Sequence, residues 1–276
     1  MDEMQNQEAP KMSSVENEHE EFELSHTDKL VGVFSEPTAT FGKMAKFPQK
    51  TSDWIIPILV VIVIAILSQV LMMNNPAIKV AMLEKQMARV EKQLKESVDK
   101  GEITQAQADE RLETTREQMS QSGTVQLIGT IVGVPIAVFI MFFIVSGVFM
   151  LVAKFGLKGE GIYKDAMVAY GLPQYIMAIQ LIVVVISALA MSKFFSGTSV
   201  ADYLGSDKTT ITGFLLGKLD VFSIWFYVVF GIGLAKMFKS NNTQKYIIAV
   251  IAVWFGFALL FFALAKAVPF LSFFAG

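Results

Sequence analysis

The chain has 276 residues, of which 53% are hydrophobic and 17% charged, with a mean hydropathy of +0.51, a balance that a water-soluble surface does not sustain. Its 23 basic and 25 acidic residues leave a formal net charge of −2, so there is no overall cationic field to draw the chain to nucleic acid, and no nucleic-acid partner is expected. The absence of cysteine excludes disulfides, thiolate metal sites and a cysteine nucleophile.

Residues 1–28 carry nine acidic side chains, from Asp2 and Glu3 to Glu23 and Asp28, against Lys11 alone. Such a segment buries too little apolar surface to fold and reads as an acidic, disordered tail, either a solvated leader or a docking tail for a basic partner. His19 and His26, both in this stretch, are the only histidines, which leaves a histidine metal site or proton relay inside a membrane without ligands.

Residues 29–53 change character. Val31, Val33, Phe34, Phe41, Met44 and Phe47 alternate with Lys43, Lys46 and Lys50, the composition of an amphipathic segment lying on a membrane surface, lysines toward lipid phosphates and aromatics in the acyl boundary. Pro37 and Pro48 are expected to confine any helix to the stretch between them. Phe34, Pro37, Phe41, Lys43, Lys46 and Lys50 are the candidate interface residues, and the lysines serve equally well as anchors for the span that follows.

Five apolar runs come next: Trp54 to Met73, Thr124 to Val152, Ala166 to Ala190, Val221 to Phe238 and Tyr246 to Val268. A hydrocarbon core about 30 Å thick takes roughly 20 helical residues, and long apolar runs without alternation indicate helices rather than a barrel. The expected fold is an all-α integral membrane protein of five transmembrane helices, formed by residues 54–75 and 124–276. Pro135 should kink the second span. Between the first two spans, residues 76–123 carry Leu83, Met87, Val90, Leu94 and Val98 on one helical face, a break at Lys100-Gly101-Glu102, and Ala108, Leu112, Thr115 and Met119 on a second. Thr104 and Gln107 make a capping-box pattern at the start of that second helix. An antiparallel helical hairpin is expected, protruding on the non-cytoplasmic side as a spacer or as a contact for self-association or a partner.

Lys154, Lys158 and Lys164 crowd one short connection, and Lys236, Lys239 and Lys245 another. By the positive-inside rule both are cytoplasmic, and so is the N-terminus. The Gly129/Gly133 step, with Gly231 and Gly233, supplies small residues for close helix packing beside Pro135. Tyr170, Pro173, Gln174, Gln180 and Asp220 are the polar or helix-breaking positions in or beside the spans. Asp220 reads as the N-cap of Val221 onward, or else as a carboxylate facing a polar pathway. Zinc-protease, nucleophile-elbow and phosphate-loop motifs are absent from the sequence, so no catalytic residue, metal or cofactor is assigned and enzymatic activity is not expected.

The stretches Val33-Phe34-Ser35-Glu36-Pro37, Tyr170-Gly171-Leu172-Pro173, Leu219-Asp220-Val221-Phe222-Ser223-Ile224-Trp225 and Gly231-Ile232-Gly233-Leu234 resemble the bacterial branch of the Yip-domain family, whose eukaryotic members are the Ypt/Rab-interacting proteins. The resemblance spans about residues 30 to 270 and implies five membrane helices with a cytoplasmic N-terminus. The chain departs from the eukaryotic members in its long first hairpin and in carrying Ser35-Glu36-Pro37 where they carry Asp-Leu-Tyr-Gly-Pro. The expectation is a non-enzymatic protein of a bacterial cytoplasmic membrane that acts through protein or lipid contacts in membrane organisation. The alternative is a small-solute or ion permease.

Overall fold

A computed structural model describes residues 23–121 and 123–267, and all the regular structure within them is helical. The first 22 residues of the acidic tail and residues 268–276 lie outside the described part.

The chain opens with α1 (His26–Ser35) and α2 (Pro37–Met44). Sequence reasoning placed no helix before Pro37, and the local chemistry shows why one forms. The Ser25 hydroxyl accepts from Asp28 N at 3.2 Å while the Asp28 carboxylate accepts from Ser25 N at 3.2 Å, a reciprocal capping box that starts a helix within the last residues of the acidic tail. Pro37 does not forbid a helix ahead of it but ends α1, since Glu36 before it leaves the helical region at φ −140° and ψ 61°. It opens α2, where its missing N–H is unneeded.

The first span, α3 (Ser52–Met73), leads into the hairpin of α4 (Pro76–Asp99) and α5 (Gln105–Gln121). Asn75 caps α4 by accepting from Ala77 N and Ile78 N at 3.0 and 3.2 Å. The Thr104–Gln107 box caps α5, with bonds of 3.0 and 3.3 Å. Gly101 turns the corner at φ +72°, a conformation that favours glycine. The hairpin is less free than its composition implied. Ile78 and Met82 are buried, Ile78 packing with Met72, Val184, Ala188 and Phe195 in a second core, and Lys92 donates to Thr209 Oγ1 at 2.8 Å.

The second span, α6 (Gly123–Leu151), contains Pro135 and ends in a wider π turn over Val152–Gly156. The third is broken into α7 (Tyr163–Gly171) and α8 (Gln174–Met191) around Leu172 and Pro173. Beyond it lie α9 (Val200–Leu204), α10 (Ile211–Lys218), α11 (Val221–Met237) and α12 (Thr243–Ala267). Among the described residues, four helical stretches are long and apolar enough to cross a membrane, and α10 with α11, bent by 59°, makes a fifth when taken as one span.

The ends of these helices sort onto two faces. One gathers α1, α2, the start of α3, the turn after α6, and the junction of α11 with α12, where Glu160 N donates to Phe238 O at 3.1 Å. The opposite, far face carries the hairpin and the 192–219 connection. Between them the spans meet through aromatic contacts: Trp54 stacks on Phe142 with centroids 5.2 Å apart, and Tyr170 meets Phe142, Phe226 and Phe230 at 5.6, 5.5 and 5.1 Å. Such offset and edge contacts add to the dispersion that holds helices together where lipid supplies no hydrophobic drive.

Glycine sets the closest approaches. A Cβ on Gly231 would stand 2.7 Å from Ile247 Cα, and one on Gly171 2.8 Å from Trp54 Cα. Gly129 and Gly133 differ: nothing lies within 4 Å of either added Cβ, so among the described residues that step packs no helix of this chain, contrary to the close packing expected of it.

Candidate functional site

Two polar clusters stand out, one on each face. On the N-terminal face, Lys29 and Asp53 are both buried, and Lys29 Nζ donates to Asp53 Oδ1 at 2.8 Å. Asp53 Oδ2 accepts from Lys50 N at 3.1 Å at the start of α3, where the helix dipole favours a carboxylate. Glu23 borders the cluster, 3.5 Å from Lys29 Nζ and 2.8 Å from Lys50 Nζ, and the Lys50 hydrogen bond holds its carboxyl below the ordinary range. His26, expected in the solvated tail, instead brings Nε2 to 2.7 Å from Tyr175 Oη, with Nδ1 buried and unpartnered. Sequence reasoning missed the Lys29–Asp53 pair because its members belong to different helices, and a lone Asp one residue ahead of Trp54 reads as the solvated edge of a span.

The proposed interface residues divide. Phe41 is fully buried and faces Gly233 of α11, where an added Cβ would stand 2.8 Å from its ring. Phe34 packs on Trp225 at 5.7 Å, and Pro37 opens α2. These aromatics insert into the protein rather than the acyl boundary, because the small residues of α11 leave a groove that accepts a ring. Lys43, Lys46 and Lys50 remain exposed beside them.

On the far face, Asp220 organises a polar network. It caps α11 through Phe222 N at 3.0 Å and accepts from Gln180 Nε2 at 2.6 Å, Thr198 Oγ1 at 2.8 Å and Ser223 Oγ at 3.0 Å. Four donors on a buried carboxylate supply the hydrogen bonds such a charge requires. Replacing Asp220 with Ala strands Gln180, Thr198 and the first turn of α11, and should cost about 3 kcal/mol. Thermal unfolding of the detergent-solubilised chain reads this, and an unchanged midpoint would show the network to be dispensable.

In front of this network, Gln180 lines a cleft of about 380 Å³ with Gln69, Met72, Met82, Lys85, Gln86, Arg89, Val184, Phe194, Phe195 and Ser196. Lys85 Nζ donates to Ser196 Oγ at 3.2 Å and lies 5.3 Å from the centre of the Phe194 ring. Burial, then the like charges of Arg89 and Lys208, holds its pKa below the ordinary lysine value. Asp202 is engaged elsewhere, accepting from Ser196 Oγ at 2.6 Å, Ser199 Oγ at 2.5 Å and Lys208 Nζ at 2.9 Å. Burial works to raise its pKa, but the bonds from Lys208, Ser196 and Ser199 outweigh it and leave the carboxyl below its usual range. A depressed folded-state value means that this clasp contributes stability above the unfolded pKa of about 3.9 and loses it as pH falls through the folded value.

The polar positions therefore do not share one site. Gln180 and Asp220 join at the far end. Tyr170 and Gln174 border a separate cavity of about 280 Å³ with Ile58, Val138 and Phe142, and Leu181 borders both cavities. Pro173 marks the break between α7 and α8. Among the described residues no group of three or more His, Asp or Glu side chains is placed to hold a metal ion.

Apolar helices of spanning length, packed by aromatic rings and glycine and capped at each end by polar clusters, define a polytopic helical membrane protein with lipid around its spans. The Yip1 domain family matches residues 31–265, nearly the whole chain, and the chain belongs to that family. No curated protein and no solved structure matches it.

Proposed function

We propose that the chain is a non-enzymatic contact protein of a bacterial cytoplasmic membrane, with its N-terminal face in the cytoplasm. The reading is carried by the way that face is built. The helix pair α1–α2 is fixed to the bundle by Phe41 under Gly233 and by the Lys29–Asp53 pair, and around it stand exposed Lys43, Lys46, Lys154, Lys158, Lys164, Lys239 and Lys245. Lysines gathered beside span ends favour the cytoplasmic side, and a rigid basic platform suits contact with anionic lipid or with an acidic surface of a membrane or cytoplasmic protein. The exposed hairpin tip and the unpacked Gly129/Gly133 step are the surfaces through which a second copy would join.

Single-cysteine variants test the orientation, since the natural sequence has no cysteine. An impermeant thiol reagent applied to intact cells should label Ser97→Cys in the hairpin and leave Lys158→Cys unlabelled until the membrane is opened; the reverse pattern would invert the topology and move the lysine platform outside. Proteoliposomes of the purified chain should pass no more small solute or ion than empty vesicles. A flux removed by Gln174→Ala or Asp220→Asn would replace the contact role with transport.

A further inference from the structure

The far-face cleft has features that a packing interface does not need. Met72, at the end of the first span, and Val184, in the broken third span, form its floor together with Met82 and Phe195. That floor therefore sits where hydrocarbon gives way to headgroups. Lys85 and Arg89 stand above it, one helical turn apart on the same face of α4. Neither forms an ion pair with a carboxylate among the described residues, and Asp202, the neighbouring acid, is taken by Lys208, Ser196 and Ser199. The amides of Gln69 and Gln86 and the hydroxyl of Ser196 complete the rim. Two exposed cations over an apolar floor, with Asp202 close enough to act on Lys85 but bonded to Lys208, Ser196 and Ser199 instead, leave a local positive potential that an anion would relieve.

We propose that this cleft binds the phosphate headgroup of an anionic phospholipid from the leaflet on the far face, with Lys85 and Arg89 on the phosphate and the first methylenes of the acyl chains on Met72, Met82, Val184 and Phe195. A volume of about 380 Å³ falls within the roughly 300–1,000 Å³ of small-molecule sites. The guanidinium presents paired donors to phosphate oxygens while the ammonium acts as a point charge. The apolar floor is what distinguishes a lipid from a soluble anion, since free phosphate would cover the cations and leave the floor to water. The inference rests on membrane insertion and on this cleft. It is independent of which face is cytoplasmic and of the contact role of the opposite platform.

The test uses the full-length chain, purified in a neutral detergent and titrated with phosphatidylglycerol, phosphatidylcholine or inorganic phosphate, with retained lipid counted by native mass spectrometry and the unfolding midpoint followed in parallel. Phosphatidylglycerol should be retained in preference to phosphatidylcholine, about tenfold more weakly in the Lys85→Gln/Arg89→Gln double variant. Arg89→Gln alone, on the exposed rim where no packing is lost, should weaken retention at least about threefold, which keeps the test sound if the double variant folds poorly. Lys239→Gln on the other face should leave it unchanged. Equal retention of phosphatidylcholine, an Arg89→Gln variant that binds as the parent does, or the same loss from Lys239→Gln would overturn the site. Inorganic phosphate that stabilises the chain as strongly as the lipid does would overturn the lipid assignment in favour of a soluble anion.

Discussion

Lys29→Met should destabilise the folded chain by about 3–5 kcal/mol, the range for breaking a buried ion pair by removing one partner. The Lys29 and Asp53 side chains are only 5% and 3% exposed and their charged atoms are 2.8 Å apart. Without the ammonium, Asp53 keeps the Lys50 N–H and the helix dipole but loses its only counter-charge within ion-pair distance among the described residues. The double variant Lys29→Met/Asp53→Leu should recover most of the loss, because two apolar groups replace a pair whose desolvation offset much of its Coulomb gain. Denaturant unfolding in micelles reads all three proteins. A double variant as unstable as the sum of its singles would show that each side chain acts alone, and the pair would lose its role as the clamp that fixes α1 against α3. Loss of the clamp should also expose the α1–α2 pair to protease before the spans unfold, since a weakly held terminal unit opens at lower free energy than the core.

The spans were readable because the hydrocarbon core demands a length and a polarity that few soluble segments share, and the hairpin because Thr104, Gln107 and Gly101 dictate a cap and a turn through local chemistry alone. Asp220 illustrates the limit of that legibility. Its capping role follows from its position before Val221, but its bonds to Gln180 and Thr198 cross 40 and 22 residues of chain, and no spacing rule connects them. The α1 helix was missed although Ser25 and Asp28 spell its capping box, because the acid-rich surroundings outweighed a two-residue signal. Gly129 and Gly133 failed in the other direction: small residues permit a close approach, and only the folded arrangement decides whether another helix makes one. The cationic cleft was invisible for the same reason as the Lys29–Asp53 pair. Lys85 and Arg89 look like the solvated face of α4 until Phe194, Ser196 and Val184 arrive from elsewhere in the chain to form a cleft beside them.

Phe41→Ala should cost about 3–5 kcal/mol, as expected for emptying a fully buried aromatic site, and Gly233→Ala about 1–3 kcal/mol from overpacking. Both residues occupy one contact. The Phe41 ring has no exposure, and a Cβ on Gly233 would stand 2.8 Å from its Cζ and 3.0 Å from its Cε2. The two substitutions should therefore not add. Alanine at 233 fills space that Phe41→Ala vacates, so the double variant should be more stable than the sum of the singles predicts, by about 0.5–3 kcal/mol. Strict additivity in a thermal or denaturant series would mean that the ring and the glycine are independent and that α2 docks through other contacts. The same series bears on the contact role. Lys43 lies on α2 two residues beyond Phe41, and its position over the membrane is fixed only while that ring is seated. With a photoreactive residue placed at exposed position 46, just past α2, a Phe41→Ala chain that stays inserted in the bilayer but loses the partner crosslinks of the parent would place the interaction in the geometry of the platform. Loss of those crosslinks from Lys43→Gln with Phe41 intact would place it in the charge.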